Sequence, residues 1–288
     1  MSRLRGSPKR ETLAPMTATT WHHGVVARWW AEFNTTGPEI DYFRRYVEAG
    51  QPALDLGCGT GRLLLPYLRA GLDVDGSDVS GDMLALCREA AEREGLTPRL
   101  YEQPKHELDV PRRYRTIFMC GALGVGSTRA QDLAAFGRVY EHLEPGGVFV
   151  LDNEVPYAEG NGWDLWQAAG RATLPRPRRP PGERRSGSDG AEYELRSRAL
   201  ALDPLEQRLT LEMQAFMWRD GELLAEDELE LTLTLYFKDE IVLMLERAGF
   251  VDVTVKAALT DAEPSADDDF LVFTARRPPE LPSADGRE

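Results

Sequence analysis

Between residues 52 and 151, short apolar runs alternate with segments whose apolar residues recur every three or four positions. PALDL at 52–56 reads as a buried strand that ends in glycine. Residues 62–70 read as a helix closed by Gly71, with Pro66 expected to remove a hydrogen bond and bend it. A second strand is predicted over 72–76. A helix over 80–94 follows, with Ser80 as N-cap, Met83, Leu84 and Cys87 on one face, and Gly95 as stop. Strands are predicted over 97–101 and 114–120. The next helix, 130–143, carries Leu133, Phe136, Tyr140 and Leu143 on one stripe, and Pro145-Gly146-Gly147 turns the chain into the strand VFVL at 148–151. Apolar strands joined by amphipathic helices specify βαβ units, hence a parallel sheet covered on both faces.

Beyond residue 190 the period changes to two. Leu209, Leu211, Met213 and Ala215 alternate with polar residues, as do Leu229, Leu231, Leu233 and Leu235, and the turn signal Asp220-Gly221 lies between the two runs. This predicts an antiparallel sheet with one apolar face, inserted into the α/β core. The core resumes with a helix over 238–248, a stop at Gly249, and strands over 251–256 and 270–276. The predicted organisation is a disordered tail at 1–20, a helical cap at 21–50, an α/β domain at 51–174 and 238–276, a loop at 175–190, the antiparallel insertion at 191–237 and a frayed tail at 277–288. The loop, PRPRRPPGERRSGSDG, is too rich in proline for a helix or central strand and is expected to be solvated. An exposed leucine-rich face on the insertion needs cover, from substrate or from a second subunit in a homodimer.

The chain of 288 residues carries a net charge of -14, which repels phosphate backbones and anionic membranes, so nucleic acid is not the expected partner. Its most apolar stretch, 117–126, is about half of the ~20 residues that a membrane span needs. Three widely separated cysteines fit reduced thiols and a cytoplasmic location, and no residue spacing suggests a bound metal.

The chemistry centres on ALDLGCGTGR at 53–62. A strand ending in Asp55, then Gly57, Gly59 and Gly61, then a helix, bends sharply with no Cβ in the way of a ligand, and helix-start amides can meet a polar group. The dinucleotide fingerprint GxGxxG would need glycine at 62, where the chain has Arg62. DxGxGxG resembles motif I of the class I S-adenosylmethionine-dependent methyltransferases. VDGSDVS at 74–80 followed by DML at 82–84 resembles the family's second motif, and LEPGG at 143–147 its lead into strand five. The resemblance covers about 21–155 and, more weakly, 238–276. It implies a doubly wound, Rossmann-like, mostly parallel seven-stranded sheet with an inserted antiparallel sheet and an N-terminal helical cap.

It also implies S-adenosyl-L-methionine as cofactor. Asp55 and the amides around Gly57, Cys58, Gly59 and Gly61 would hold the methionyl end. Asp78 would take the ribose hydroxyls, with Val79 and Met83 on the adenine, and Cys120 and Gly121 would run past the sulfonium. Two departures stand out. Where the family has an acid for the adenine amine, the chain has Pro104, leaving the side-chain oxygen of Gln103 or a backbone carbonyl. Where the family's cap helix has tyrosines, the chain has Trp29 and Trp30, and an indole N–H of Trp30 could close over the methionyl group. The bland readings stand beside these: a strand-end cap for Asp55, a core methionine for Met83, a core aromatic stripe for Trp30, and small buried hydrophobes for Cys58 and Cys120.

The implied reaction is an in-line methyl transfer to nitrogen or oxygen of a small organic molecule, such as a natural-product intermediate, driven by positioning and water exclusion. A base is needed only if the nucleophile arrives protonated. Glu154 is the expected candidate, with His106, His22 and His23 behind it. The acceptor is expected between the cap helix, residues 153–166 with Tyr157, Trp163 and Trp166, and the apolar face of the insertion. The competing readings are an NAD(P)-dependent oxidoreductase, against which Arg62 speaks, and a non-catalytic relative that keeps a remnant cleft.

Overall fold

The computed structural model describes residues 20–158 and 162–280. Two helices come first, α1 (Gly24–Phe33) and α2 (Glu39–Ala49). The core then runs β1 (Ala53–Leu56), α3 (Leu64–Arg69), β2 (Val74–Asp78), α4 (Gly81–Arg93), β3 (Leu100–Glu102), β4 (Tyr114–Met119), α5 (Arg129–His142) and β5 (Leu143–Glu154). A short helix α6 (Ala168–Arg171) leads to the insertion, β6 (Arg185–Ser186), β7 (Glu192–Asp203), β8 (Arg208–Arg219) and β9 (Glu222–Thr234). The chain closes with α7 (Lys238–Arg247), β10 (Val251–Ala257) and β11 (Phe270–Arg276). Seven strands form one sheet in the order β10-β11-β5-β4-β1-β2-β3, and four form a second in the order β6-β7-β8-β9. In the large sheet only β11 runs against its neighbours. This is the doubly wound sheet with an antiparallel insertion that the alternating rhythm predicts.

Strand alternation divides the core between the two faces of the sheet. Phe149 and Leu151 of β5 join Phe136 and Val139 of α5, Leu245 of α7 and Phe273 of β11. Val150, one residue out of step, joins Phe43 of α2, Leu64 of α3, Leu84 of α4 and Phe118 on the opposite face. Each such side chain contributes ~1.5–3 kcal/mol on full burial.

Local signals fix the ends. Ser80 caps α4 by accepting from the Met83 amide at 3.2 Å. Thr128 and Gln131 form a reciprocal capping box on α5, which starts one residue before the expected 130. Pro66 differs from expectation: the regular helix begins at Leu64, so the proline sits in the first turn, where its missing N–H removes no intrahelical bond. Asp220 and Gly221, with φ of +52° and +82°, form the β8–β9 hairpin turn.

The insertion departs further from expectation. Its apolar face (Tyr193, Met213 and Ala215, flanked by Leu195, Met217 and Leu229) is covered by Val25, Val26, Trp29, Trp30 and Phe33 of α1. The needed cover is thus supplied from within the chain. The start of α1, which has no side-chain cap of its own, is held by two carboxylates. Gly24 donates its amide to Asp82 Oδ2 at 2.8 Å, and Val25 donates to Asp227 Oδ2 at 2.7 Å. The Arg/Pro loop is exposed over most of its length, as expected, while its arginines reach the inserted sheet and α1. Arg178 pairs with Glu212 at 3.3 Å and Glu228 at 2.7 Å, Arg184 lies 3.9 Å over Trp218, and Arg185 lies 4.1 Å over Phe33. Arg277, expected in a frayed tail, donates to the carbonyls of Tyr140 and Leu143 at the end of α5. Residues 1–19 and 281–288 of the expected tails lie outside the described residues.

Candidate active site

A cavity of about 250 Å³ opens where β1, β2, β3 and β4 end at their carboxyl termini. Parallel sheets place ligands at such a switch in strand order, because the loops there diverge. Asp55, Gly57, Cys58, Gly59, Asp78, Val79, Met83, Gln103, Cys120 and Trp30 all line it. Gly61 and Glu154 do not. A Cβ on Gly61 would lie 2.7 Å from Cys87 Sγ, so this glycine, at φ +88°, lets the turn pass close to α4. Glu154 is exposed. The pairing of β5 with β4 ends at Leu151, and Glu154 overhangs on the β11 side opposite Phe270, so the candidate base stands outside the cavity.

The glycine turn closes on itself. Gly57 and Cys58 both donate their amides to Ser77 O, at 2.7 and 3.0 Å, and Gly61 donates to Cys58 O at 2.9 Å. Gly59 donates to Asp78 Oδ2 at 2.9 Å, while Asp78 Oδ1 accepts from the Ser80 amide at 2.8 Å. The turn's amides, expected to hold a ligand, are thus spent on holding β2 and the start of α4 in place. Burial raises the Asp78 pKa, against the opposing pull of these amides.

Side chains carry the rest of the site. Asp55, 2% exposed, is pushed up to about 8 by burial, with Arg62 opposing and Asp78 adding to the shift. Arg62 pairs with Glu39 at 2.9 Å and reaches Cys120 Sγ at 3.5 Å. Beneath the wall, buried Asp152 accepts from the Gly121 amide at 2.6 Å and from Cys120 Sγ at 3.3 Å, which fixes the bend after β4. Burial raises the thiols of Cys58 and Cys120, leaving them protonated and poor nucleophiles. His22 lines the cavity with its Nδ1 2.7 Å from Thr20 Oγ1, and burial, then His23, pushes it down to about 4. His106 lies 3.2 Å from Gln131 Nε2. Lys105 donates to Ala122 O at 2.6 Å and pairs with fully buried Asp132 at 3.0 Å.

Three buried polar atoms on lining residues have no partner within the described chain: Trp30 Nε1, Ser77 Oγ and Gln103 Nε2. Such atoms are each destabilising by ~1–3 kcal/mol when dry, so a wall holding three of them suits a polar ligand. A nucleoside with a charged amino-acid arm has donors and acceptors enough to satisfy them.

The sequence reading missed Asp152, Lys105, Ser127 and Gln131, and took Arg62 only as evidence against a dinucleotide. Asp152 had a signal, an acid directly after a buried apolar run, as Asp55 has in β1. Lys105 had none, since its position depends on the loop after β3. The aromatic residues Tyr157, Trp163 and Trp166 cluster with Phe237 outside the cavity instead of lining it. Among the described residues, no cluster of His, Cys, Asp or Glu could hold a metal, and no helix is long and apolar enough to cross a membrane.

Residues 53–147 match the family described as a methyltransferase domain. A protein of Geobacillus sp. (strain WCH70) that carries the name of a methyltransferase is 28% identical over 227 residues, covering 78% of this chain and 83% of that protein. Among solved structures, the CcbJ methyltransferase of Streptomyces caelestis aligns with TM-score 0.59 at 25% identity, over 84% of this chain and 96% of its own. The sugar N-methyltransferase KedS8 of Streptoalloteichus sp. ATCC 53650 aligns with TM-score 0.63 at 18% identity, over 96% of this chain and 99% of its own. That last likeness is one of fold, and it takes in most of the inserted sheet.

Proposed function

We propose that the chain is a class I S-adenosylmethionine-dependent methyltransferase that methylates nitrogen or oxygen of a small organic acceptor, such as a natural-product intermediate. The observation that carries this reading is the roof. Helix α1 is clamped at its start by Asp82 and Asp227, carries Trp30 into the cavity wall, and is backed along its length by the inserted sheet. A roofed cavity admits a small molecule and excludes a polymer chain. The shared fold with a sugar N-methyltransferase adds support.

Bound S-adenosylmethionine supplies a methyl group on a sulfonium, with a neutral thioether as the leaving group. The protein's part is therefore orientation and exclusion of water. Asp78, aimed by the Gly59 and Ser80 amides, would take the ribose hydroxyls. Asp55 would accept a hydrogen bond from the amino group at the ligand's amino-acid end, and the Asp152-anchored bend at Cys120 and Gly121 would shape the wall beside the reacting carbon. Trp30 would donate its indole N–H to the ligand from above. Of the titratable groups weighed for taking an acceptor's proton, His22 and His106 line the cavity. A neutral amine acceptor requires neither in the transfer step.

The test uses isotope-labelled S-adenosylmethionine with the purified chain and a fractionated cell extract. Label is expected in products below about 1 kDa. Label retained by protein or nucleic acid would overturn the small-acceptor reading.

A further inference from the structure

The orphaned Gln103 Nε2 bears on which nucleobase this cavity reads. Strands β4, β1, β2 and β3 are neighbours in that order, so the ligand's parts map onto successive strand ends. With the amino-acid arm over β4 and β1 and the ribose at Asp78 of β2, the base falls beside Val79 and Met83, toward the residues after β3. Gln103 stands there, with its backbone amide donating to Asp78 O at 3.0 Å. Its side chain is oriented by the chain itself: Oε1 accepts from the Asp109 amide at 3.0 Å, an N–H that can only donate. The atom left over is Nε2, buried and unpartnered, which can donate and cannot accept.

An adenine amine needs an acceptor; at this end His106 Nε2 is already engaged by Gln131 Nε2 at 3.2 Å, and no carboxylate follows β3 into the cavity. Pro104 has no polar side-chain atom, and Lys105 is committed to Ala122 O and Asp132. Glu102 is exposed and turned toward Gly81 at the start of α4. The carboxylates among the described lining residues are Asp55 and Asp78, on β1 and β2. An amide donor can instead meet a ring nitrogen of adenine, or the 6-oxo oxygen of hypoxanthine.

We infer that Gln103 recognises the cofactor's base as a hydrogen-bond donor, so that this enzyme accepts inosyl as well as adenosyl forms of its cofactor. The inference rests on the cofactor assignment and refines it. A site built around an acceptor for the amine rejects the oxo analogue strongly, because lone pairs then face each other unpaired. A donor at the same place removes that discrimination.

The experiment is calorimetric titration of the full chain with S-adenosylhomocysteine and with S-inosylhomocysteine, repeated on Gln103→Glu. The substitution keeps the acceptor for the Asp109 amide and converts Nε2 into an acceptor, with almost no change in shape. In the unaltered chain the two dissociation constants are expected within ~10-fold of each other. In Gln103→Glu the inosyl compound is expected to weaken until they differ by ~100-fold or more. Circular dichroism melting of the variant separates loss of fold from loss of recognition, and Gln103→Met, which lacks both donor and acceptor, is expected to weaken the two ligands equally. An adenosyl preference of ~100-fold in the unaltered chain, unchanged by Gln103→Glu, would overturn the inference while leaving the cofactor assignment intact. If neither nucleoside bound, both would fall.

Discussion

The two walls of the cavity differ in what completes them. On the glycine side, the amides of Gly57, Cys58, Gly59 and Gly61 all have partners within the chain. The second wall, from α1 and the ends of β2 and β3, holds Trp30 Nε1, Ser77 Oγ and Gln103 Nε2, which are buried without a partner among the described residues. The first wall is therefore part of the fold, finished before any ligand arrives, and its residues should affect stability first. The second is finished by the ligand, and its residues should affect affinity with little effect on the empty protein. Asp55 and Asp78 lie between the walls and should report on both.

Asp55 gives the largest expected effect. Its pKa, about 8 in the folded chain, exceeds the ~3.9 of an exposed aspartate, so folding favours its protonated form. The contribution is fully present below pH ~4 and is lost as pH rises toward 8, with a slope approaching ~1.4 kcal/mol per pH unit within that window. Asp55→Asn, which mimics the protonated acid, should exceed the unaltered chain in chemical denaturation by a margin that widens from pH 5 to pH 8. Parallel pH profiles for the two proteins would show that burial does not set this carboxyl's state.

Gly61→Val tests the finished wall directly. The backbone there is at φ +88°, and the new side chain would meet Cys87 Sγ and Leu65 at under 3 Å. Strain and overpacking together should remove about 3 kcal/mol or more of stability. Measured by urea denaturation, a loss under ~1 kcal/mol would mean that the turn can move away from α4, and the wall would not be rigid. Asp78→Ala comes next in size. It frees the Gly59 and Ser80 amides and removes the ribose acceptor, so the dissociation constant for S-adenosylmethionine should rise by ~10-fold or more. Unchanged calorimetric affinity would dismiss Asp78 as a ligand contact.

The sequence disclosed one wall better than the other for a physical reason. The glycine turn is local: PALDL announces β1 by its apolar run, the glycines follow at once, and Ser80 announces α4 one residue before it starts. Side-chain completion is not local. Gln103 is turned by an amide six residues on, α1 is fixed by Asp227 some two hundred residues away, and the Arg/Pro loop finds Glu212 and Glu228 only once β8 and β9 have paired. Composition suggested a solvated loop because five arginines among four prolines cannot build a core. It could not show buried Glu212 and exposed Glu228 standing side by side to receive them. The position of Glu154 outside the cavity was hidden for a related reason, since a residue just past a strand is inside or outside a site according to which neighbour the strand still pairs with.

Trp30→Phe makes the finest cut between the walls. The substitution keeps an aromatic ring against His22 and the apolar face of the inserted sheet, and removes the indole N–H that has no partner in the empty chain. Deleting an unsatisfied buried donor removes a desolvation penalty, which offsets part of the packing lost with the smaller ring. Stability of the empty protein should therefore change by less than ~1 kcal/mol, while affinity for S-adenosylhomocysteine falls about 5-fold, the size of one neutral hydrogen bond. The reverse outcome, a large loss of stability with affinity intact, would make Trp30 a core residue of the insertion and leave the ligand-completed wall without its roof.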